Sequence, residues 1–322
     1  MPVVGRFAPS PTGALHLGSA RTLLAAWLSV RQQRGRFIWR VEDLDGPRTV
    51  PGAVEQAMDD ARWLGLDWDE GPDRSGPHAP YAQSERSALY DAALQRLADA
   101  GRVFPCLRSR KDLQTLASAP HGPAAGALPG TEGVPPYPKA WRPSMPLPPG
   151  WLRPDLDAAV RFLVPVGTVG FNDRVQGRVE EDTAAAVGDF VLKRRDGAFA
   201  YQLAVVVDDL AMGVTEVVRG VDLLDSTARQ LHLIGALGGN VPAYAHVGLV
   251  VNEAGEKLSK RDGALALAAL RERGVAAESV VGWLAHSLGL ATAAEPLTAR
   301  ALVDGFRWAR VPAGPVVASG EL

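Results

Sequence analysis

The stretch Val3-Val4-Gly5-Arg6-Phe7-Ala8-Pro9-Ser10-Pro11-Thr12-Gly13-Ala14-Leu15-His16-Leu17-Gly18-Ser19 decides the fold. Val3 to Ala8 reads as a short buried strand and Pro9 to Gly13 as a loop. A helix is predicted to start near Ser19, a favourable N-cap residue. Ala20, Leu23, Leu24, Trp27 and Leu28 then recur on one helical stripe. Gly35 is placed as its stop. Phe37-Ile38-Trp39-Arg40-Val41 follows as the next strand. Strand, helix and strand in that order form a βαβ unit, which implies a parallel sheet. Open α/β sheets bind ligands at the carboxyl ends of their strands, where this loop sits. Gly13 and Gly18 let backbone approach a ligand closely. The N–H groups at the helix start suit phosphate. His16 can donate a hydrogen bond to phosphate without carrying a fixed charge. A lone histidine here would read as a packing residue. The whole string, between strand and helix, favours binding.

Outward from this unit, the chain has 322 residues, enough for about two structural units and a sizeable core. Cys106 is the single cysteine, so an intramolecular disulfide and any zinc site built on two thiolates are excluded. A reducing, cytoplasmic setting is expected. The net charge of −2 neither announces nor excludes a nucleic-acid partner, because a local patch is enough. No apolar run approaches the ~18–20 residues of a spanning helix, and no membrane partner is expected.

Helices are predicted over 51–64 and 84–100, the latter capped by Ser84 and closed by Gly101. Fifteen of residues 120–150 are glycine or proline, which excludes a regular helix or central strand there. Asp189 to Tyr201 reads as a hairpin turning at Asp196-Gly197. Periodicity leaves Leu203 to Val207 unassigned. Val214 to Arg219 is a strand, Asp225 to Leu237 a helix, and Val247 to Val251 a strand leading into the Lys257-Leu258-Ser259-Lys260 loop. The remainder reads as mostly helical. Two lysines three apart can converge on one phosphate chain. Such a clamp strengthens as charge accumulates during phosphoryl transfer. Alone, the same four residues would read as a solvated loop.

Together the two motifs carry a resemblance. His16-Leu17-Gly18-Ser19 is a HIGH-type motif and Lys257-Leu258-Ser259-Lys260-Arg261 a KMSKS-type motif, and the chain resembles the class I aminoacyl-tRNA synthetases. Gly5 to Gly13, Arg40-Val41-Glu42-Asp43-Leu44-Asp45, Val205-Val206-Val207-Asp208-Asp209 and Val218-Arg219-Gly220-Val221-Asp222 are similar to the glutamyl/glutaminyl branch. The resemblance runs in order from about residue 4 to residue 265. It implies an α/β fold with a Rossmann-type parallel sheet, an inserted acceptor-type subdomain and a short C-terminal helical tail. The divisions expected are 1–105 and 189–265 for the halves of the catalytic domain, 106–188 for the insert and 266–322 for the tail. His16, Lys257 and Lys260 are implied as catalytic. Pro9, Gly13, His16, Gly18, Ser19, Lys257 and Lys260 are implied to bind ATP, with Mg2+ accompanying it.

Free glutamate carries two carboxylates and one ammonium, so its site needs two cationic groups and one anion. Arg6 and Arg219 can each fork onto a carboxylate. Glu42 can take the ammonium. Ser10, the Ala8 backbone and the Tyr201 phenol can add hydrogen bonds. The family's glutamate-binding positions match these six residues. Competing pairings are Arg6 or Arg219 with Asp43 or Asp222, and a core role for Tyr201. Asp43 and Asp209 are the available general-base candidates, with structural pairing favoured for both.

Only 62 residues follow Lys260, fewer than the helical anticodon-binding region of a full glutamyl-tRNA synthetase. A short chain of this kind resembles the glutamyl-Q tRNA(Asp) synthetases. Asp225-Ser226-Thr227-Ala228-Arg229-Gln230 and Phe306 to Pro312 are similar to that short family as well. The implied reaction activates L-glutamate with ATP and transfers it to the queuosine base in the anticodon of tRNA(Asp), not to the 3′ end. The alternatives are a truncated glutamyl-tRNA synthetase and a catalytically silent tRNA-binding paralogue. A monomer is expected. Many relatives carry a thiolate-rich zinc site, but two of its positions here read Arg108 and Trp141. No structural zinc is expected. Three basic clusters are possible RNA contacts or ordinary solvated faces: Arg31, Arg34 and Arg36; Lys193-Arg194-Arg195; and Arg108, Arg110 and Lys111.

Overall fold

A computed structural model describes residues 2–74, 76–117, 135–145, 147–258 and 265–318. The opening unit is β1 (Val4–Phe7), α1 (Leu17–Gln32) and β2 (Arg36–Trp39), with β1 and β2 parallel from Val4↔Arg36 to Phe7↔Trp39. Helix α1 starts two residues before Ser19, because the His16 side chain caps it. Its exit also differs from expectation. Arg34 takes the left-handed conformation (φ 52°), while Gly35 passes so close to β1 that a Cβ would stand 2.3 Å from the Val3 carbonyl oxygen. Gly35 is therefore needed for close approach rather than for its torsion angle.

The helices α2 (Ala53–Trp63) and α3 (Ser87–Asp99) follow. Pro51 lies outside α2, and Ser84 does not cap α3. Its hydroxyl and backbone N–H bond Asp43 instead, and a short 3-10 turn precedes the helix. Next come β3 (Val103–Cys106), α4 (Arg110–Ala117) and β4 (Ala159–Phe162). About half of the Gly/Pro-rich stretch, 120–134 with residue 146, lies outside the described residues. The hairpin of β5 (Val169–Asp173) and β6 (Gly177–Glu181) leads through α5 (Thr183–Ala186) to β7 (Phe190–Lys193). Strands β3, β4 and β7 make a small antiparallel sheet of their own. Beyond β7 the chain turns at Gly197 and returns only as an isolated Lys193↔Phe199 bridge.

The unassigned apolar run is helix α6 (Tyr201–Ala211), buried continuously from Gln202 to Asp208. A helix wetted on neither side shows no amphipathic period. Then come β8 (Glu216–Gly220), α7 (Ser226–Ala236), β9 (Ala243–Val247) and the two-residue β10 (Val250–Val251). Gly248 and Leu249 thus break the single strand expected over 247–251. The main sheet runs β2-β1-β8-β9-β5-β6, parallel throughout except for the β5–β6 hairpin. This is the parallel sheet implied by the opening βαβ unit, and the Rossmann-type one implied by the resemblance. Helices α8 (Leu267–Glu272) and α9 (Ala277–Ser287) pack beside α1 and α2, and β11 (Val316–Val317) returns to pair in parallel with β10. Leu17, Leu24, Leu28, Trp39, Leu267 and Leu284 belong to the largest core, on the α1 face of the sheet.

Candidate active site

The carboxyl ends of β1 and β8, the start of α1 and the loop after β10 enclose a cavity of about 850 Å³. It gathers Arg6, Ala8, Pro9, Ser10, Gly13, His16, Gly18, Ser19, Glu42, Tyr201, Arg219 and Lys257. Lys260 lies outside the described residues.

The floor is charged and buried. Arg6, only 4% exposed, donates from Nε to Asp209 Oδ1 at 3.2 Å and from Nη1 to the Val218 carbonyl at 3.4 Å. Arg40, at the end of β2, donates to Asp209 Oδ1 at 2.6 Å and to Glu42 Oε1 at 3.0 Å. Burial works against the Arg40 charge, but Asp209, Glu42 and Asp208 outweigh it and raise its pKa. Burial likewise opposes the Asp209 charge. Arg6 and Arg40 outweigh it and hold this carboxyl below its ordinary value. For Glu42 burial wins over Arg40 and Arg6 and pushes its carboxyl up. An ammonium placed beside Glu42 would restore the balance toward the carboxylate.

Arg219 lies on β8, the strand beside Arg6, and lines the same cavity. It donates to His246 Nε2 at 2.9 Å, Gln230 Oε1 at 2.9 Å, Thr227 Oγ1 at 2.8 Å and, at 3.5 Å, the Tyr201 hydroxyl. Neither arginine has the carboxylate partner weighed for it from sequence. Asp43 is occupied by Ser84, and Asp222 pairs with Lys257 at 2.5 Å. Asp209 is a clamp between two arginines, as the paired reading had it.

The end of the cavity where phosphate binding is expected, at the start of α1, is built on backbone. His16 Nδ1 accepts from the Gly18 and Ser19 N–H groups at 3.1 and 3.3 Å. The neutral tautomer that accepts there carries its proton on Nε2, 3.4 Å from the Ser19 hydroxyl. Gly18 fits closely here, because a Cβ would stand 3.0 Å from the His16 ring and press it out of place. Gly13 has φ 141°, a conformation L side chains rarely adopt. Lys257 sits on the return arm of a tight hairpin from β10, bridged to Val251, with Gly255 at φ 77° in the turn. Downstream, Ala266 bridges to His16.

Four residues that brace the cavity's charged side chains escaped the sequence reading: Arg40, His246, Gln230 and Thr227. Arg40, Thr227 and Gln230 stood within quoted motifs without a role. His246 had no local signal.

The basic clusters mostly face carboxylates. Arg31 pairs with Asp67 and Asp69, Arg36 with Glu70, Lys193 with Asp91, Arg194 with Asp196 and Arg195 with Asp157. Arg108 stacks over the Trp141 ring at 5.0 Å. Around Cys106, the thiol lies 3.3 Å from the Tyr137 hydroxyl and accepts from Arg161 Nε at 3.3 Å. A cation seated on this sulfur would face the Arg161 guanidinium, so the position does not suit zinc. Among the described residues, no three His, Cys, Asp or Glu side chains converge as a metal site would.

The family described as tRNA synthetases class I (E and Q), catalytic domain, matches residues 2–299. The chain belongs to this family. A glutamyl-Q tRNA(Asp) synthetase from Symbiobacterium thermophilum is 50% identical over 313 residues, 97% of this chain and 94% of that protein. One from Nitratidesulfovibrio vulgaris is 45% identical, covering 99% of this chain and 96% of its own length. A glutamate–tRNA ligase from Burkholderia thailandensis is 41% identical, but this chain spans only 57% of it. The crystal structure of a glutamate tRNA ligase from Elizabethkingia meningosepticum in complex with its amino acid matches with a TM-score of 0.85. It is 30% identical and covers 100% of this chain and 68% of that one. As a class I synthetase of the E and Q family, the protein is a ligase of the aminoacyl-tRNA synthetase type. Among the described residues, no helix is long and apolar enough to cross a membrane.

Proposed function

We propose that this protein activates L-glutamate with ATP and transfers it to the queuosine base in the anticodon of tRNA(Asp), leaving the 3′ end uncharged. The observation that carries the amino-acid assignment is the cavity floor. Two buried guanidiniums, Arg6 and Arg219, and one carboxylate, Glu42, line it together. That set complements two carboxylates and one ammonium. Ser10, Tyr201 and the Ala8 backbone complete the hydrogen bonding.

In the first step a glutamate α-carboxylate oxygen attacks the α-phosphorus of ATP, and the bond to the pyrophosphate oxygen breaks. The cavity contributes position and charge. The start of α1 offers N–H groups beside Gly18 and Ser19, with Pro9 and Gly13 shaping the loop. His16 Nε2–H and the lysines Lys257 and Lys260 follow the charge onto pyrophosphate. ATP brings Mg2+ as its usual counterion. In the second step a hydroxyl of the queuosine cyclopentene diol attacks the acyl carbon, and AMP leaves. Asp43 and Asp209 are both engaged in pairing, so neither is assigned as base.

The queuosine acceptor is supported by the relatives of higher identity and near-complete mutual coverage, which carry the glutamyl-Q name. The chain acts as a monomer in this reading. Glutamate-dependent ATP–pyrophosphate exchange, followed by transfer of labelled glutamate to tRNA(Asp) with and without queuosine, tests it. Exchange with queuosine-dependent transfer that survives periodate oxidation of the 3′ end is expected only if queuosine is protected. The decisive comparison is therefore mature tRNA(Asp) against queuosine-free tRNA(Asp). Transfer persisting without queuosine would identify a truncated glutamyl-tRNA synthetase, and absence of exchange a silent paralogue.

A further inference from the structure

The charged floor of the cavity has a buried support behind it. Asp173 ends β5, His246 lies on β9 and Arg219 on β8, three neighbouring segments of the main sheet. The His246 and Asp173 side chains are both fully buried. Asp173 Oδ2 stands 2.6 Å from His246 Nδ1, and His246 Nε2 stands 2.9 Å from Arg219 Nε. We propose that Asp173 and His246 are positioning residues for the amino-acid substrate, locking the Nε edge of Arg219 so that its outer nitrogens face a glutamate carboxylate. This rests on the reading of Arg219 as a carboxylate ligand.

The chemistry of each atom allows one proton arrangement. A guanidinium nitrogen can only donate, so His246 Nε2 must present its lone pair. A neutral imidazole with that lone pair carries its proton on Nδ1, and the Asp173 carboxylate, which can only accept, takes it. Asp173 is itself fixed by backbone N–H groups of Val175, Gln176 and His246. The chain of bonds therefore runs from the backbone of the β5–β6 turn to the cavity wall. Arg219 has five N–H groups. His246, Gln230 and Thr227 take three at close range, and the Tyr201 contact is long at 3.5 Å. One Nη2 N–H and the group facing Tyr201 are what an incoming carboxylate meets.

Protonating His246 would set an N–H against the Arg219 Nε–H and break the lock. The groups that face the ring decide how readily this occurs. Asp173 lies on β5, Arg219 on β8 and Arg6 on β1. Thr227 and Gln230 on α7 are uncharged, and the Tyr244 ring stacks at 6.0 Å. Burial is the largest influence and, with both arginines, outweighs Asp173, so the ring stays neutral to lower pH than an ordinary histidine.

The test is glutamate-dependent ATP–pyrophosphate exchange by the full chain, read as separate KM values for glutamate and ATP. His246→Phe keeps the volume and loses the acceptor. It is expected to raise KM for glutamate about tenfold, the worth of one buried hydrogen bond to a charged group, and to leave KM for ATP within about twofold. His246→Gln, whose amide oxygen can accept from Arg219 Nε, recovers most of the loss. In the wild type, KM for glutamate climbs as pH falls below the ordinary histidine value of 6.5, and His246→Gln lacks that climb. Glu42 titrates in both proteins, so their difference reports His246. An unchanged glutamate KM in His246→Phe, with a raised one in Arg219→Ala, overturns the relay and leaves the Arg219 assignment standing. An unchanged KM in Arg219→Ala removes that assignment itself. Should His246→Phe not fold, identical pH profiles for wild type and His246→Gln overturn the proposal.

Discussion

Arg40 meets three carboxylates, those of Glu42, Asp208 and Asp209, with no exposure to solvent. Replacing it with methionine leaves three negative charges without their common partner. Arg40→Met is expected to cost about 3–5 kcal/mol, the range for breaking a buried ion pair, read by urea denaturation. A loss under about 1 kcal/mol would mean that the carboxylates re-pair or take up protons at little cost. Asp173 gives a pH signature. Burial opposes its charge, but bonds from His246 and from backbone N–H groups win, and its pKa falls from 3.8 to about 2. A depressed carboxyl contributes stability above pH 3.8 that is lost as pH falls toward 2, here about 2 kcal/mol. Asp173→Asn should flatten that acid limb of the Tm-versus-pH curve, and an unchanged limb would assign it to other carboxyls. These residues also mark the limit of sequence reading. Arg6, Glu42 and Arg219 were legible because substrate charge demands them within recognisable strings. Asp173 and His246 are 73 residues apart, and only the sheet order brings them together.

At the scale of elements, the start of α1 was misread by two residues because Ser19 is the stronger N-cap by type. The structure uses His16, whose Nδ1 reaches two N–H groups. With the proposed reaction, His16 has two separable duties. His16→Asn retains a good capping side chain, so Tm should stay within about 2 °C. It removes the Nε2 donor, so exchange should fall about 10²-fold or more, as when one preorganised donor is lost. Full exchange in His16→Asn would leave His16 with the cap alone. Helix α6 was illegible for another reason: a run buried on every side has no period to read. Strands β3 and β4 are four residues each and separated by the Gly/Pro-rich stretch, so no alternation or short turn announced their pairing. Their core is held by Tyr137, set among Phe104, Trp141 and the Arg161 guanidinium 4.3 Å from its ring. Packing and cation–π contacts hold this core, so with no structural zinc expected a chelator should leave Tm unchanged. Arg108→Ala should lower stability by about 1 kcal/mol. A chelator-induced drop in Tm would show that a metal contributes after all.

At the scale of the whole molecule, the two halves of the cavity have different supports. The amino-acid side rests on β1, β8 and the end of β2, inside the six-stranded sheet. The nucleotide side includes the hairpin carrying Lys257, which hangs on β10, and β10 pairs only with β11 beyond its own hairpin bridge among the described residues. Arg21, fully buried on α1, also reaches this side, donating to the Gly248 carbonyl at 2.6 Å and to Ser287 on α9. The residues after the second motif therefore pack on the core and, through Arg21, tie α9 to the Gly248 wall of the cavity. Val316 offers a way to test this without touching the cavity. Its N–H donates to the Leu249 carbonyl at 2.8 Å, and Leu249 lines the nucleotide side. Val316→Pro removes that donor, at a cost of about 1–3 kcal/mol for an acceptor left without its partner. If β11 steadies the Lys257 hairpin, KM for ATP should rise severalfold while KM for glutamate stays within about twofold. Equal rises in both KM values would instead show that β11 supports the sheet as a whole. A change in Tm with neither KM affected would reduce β11 to packing.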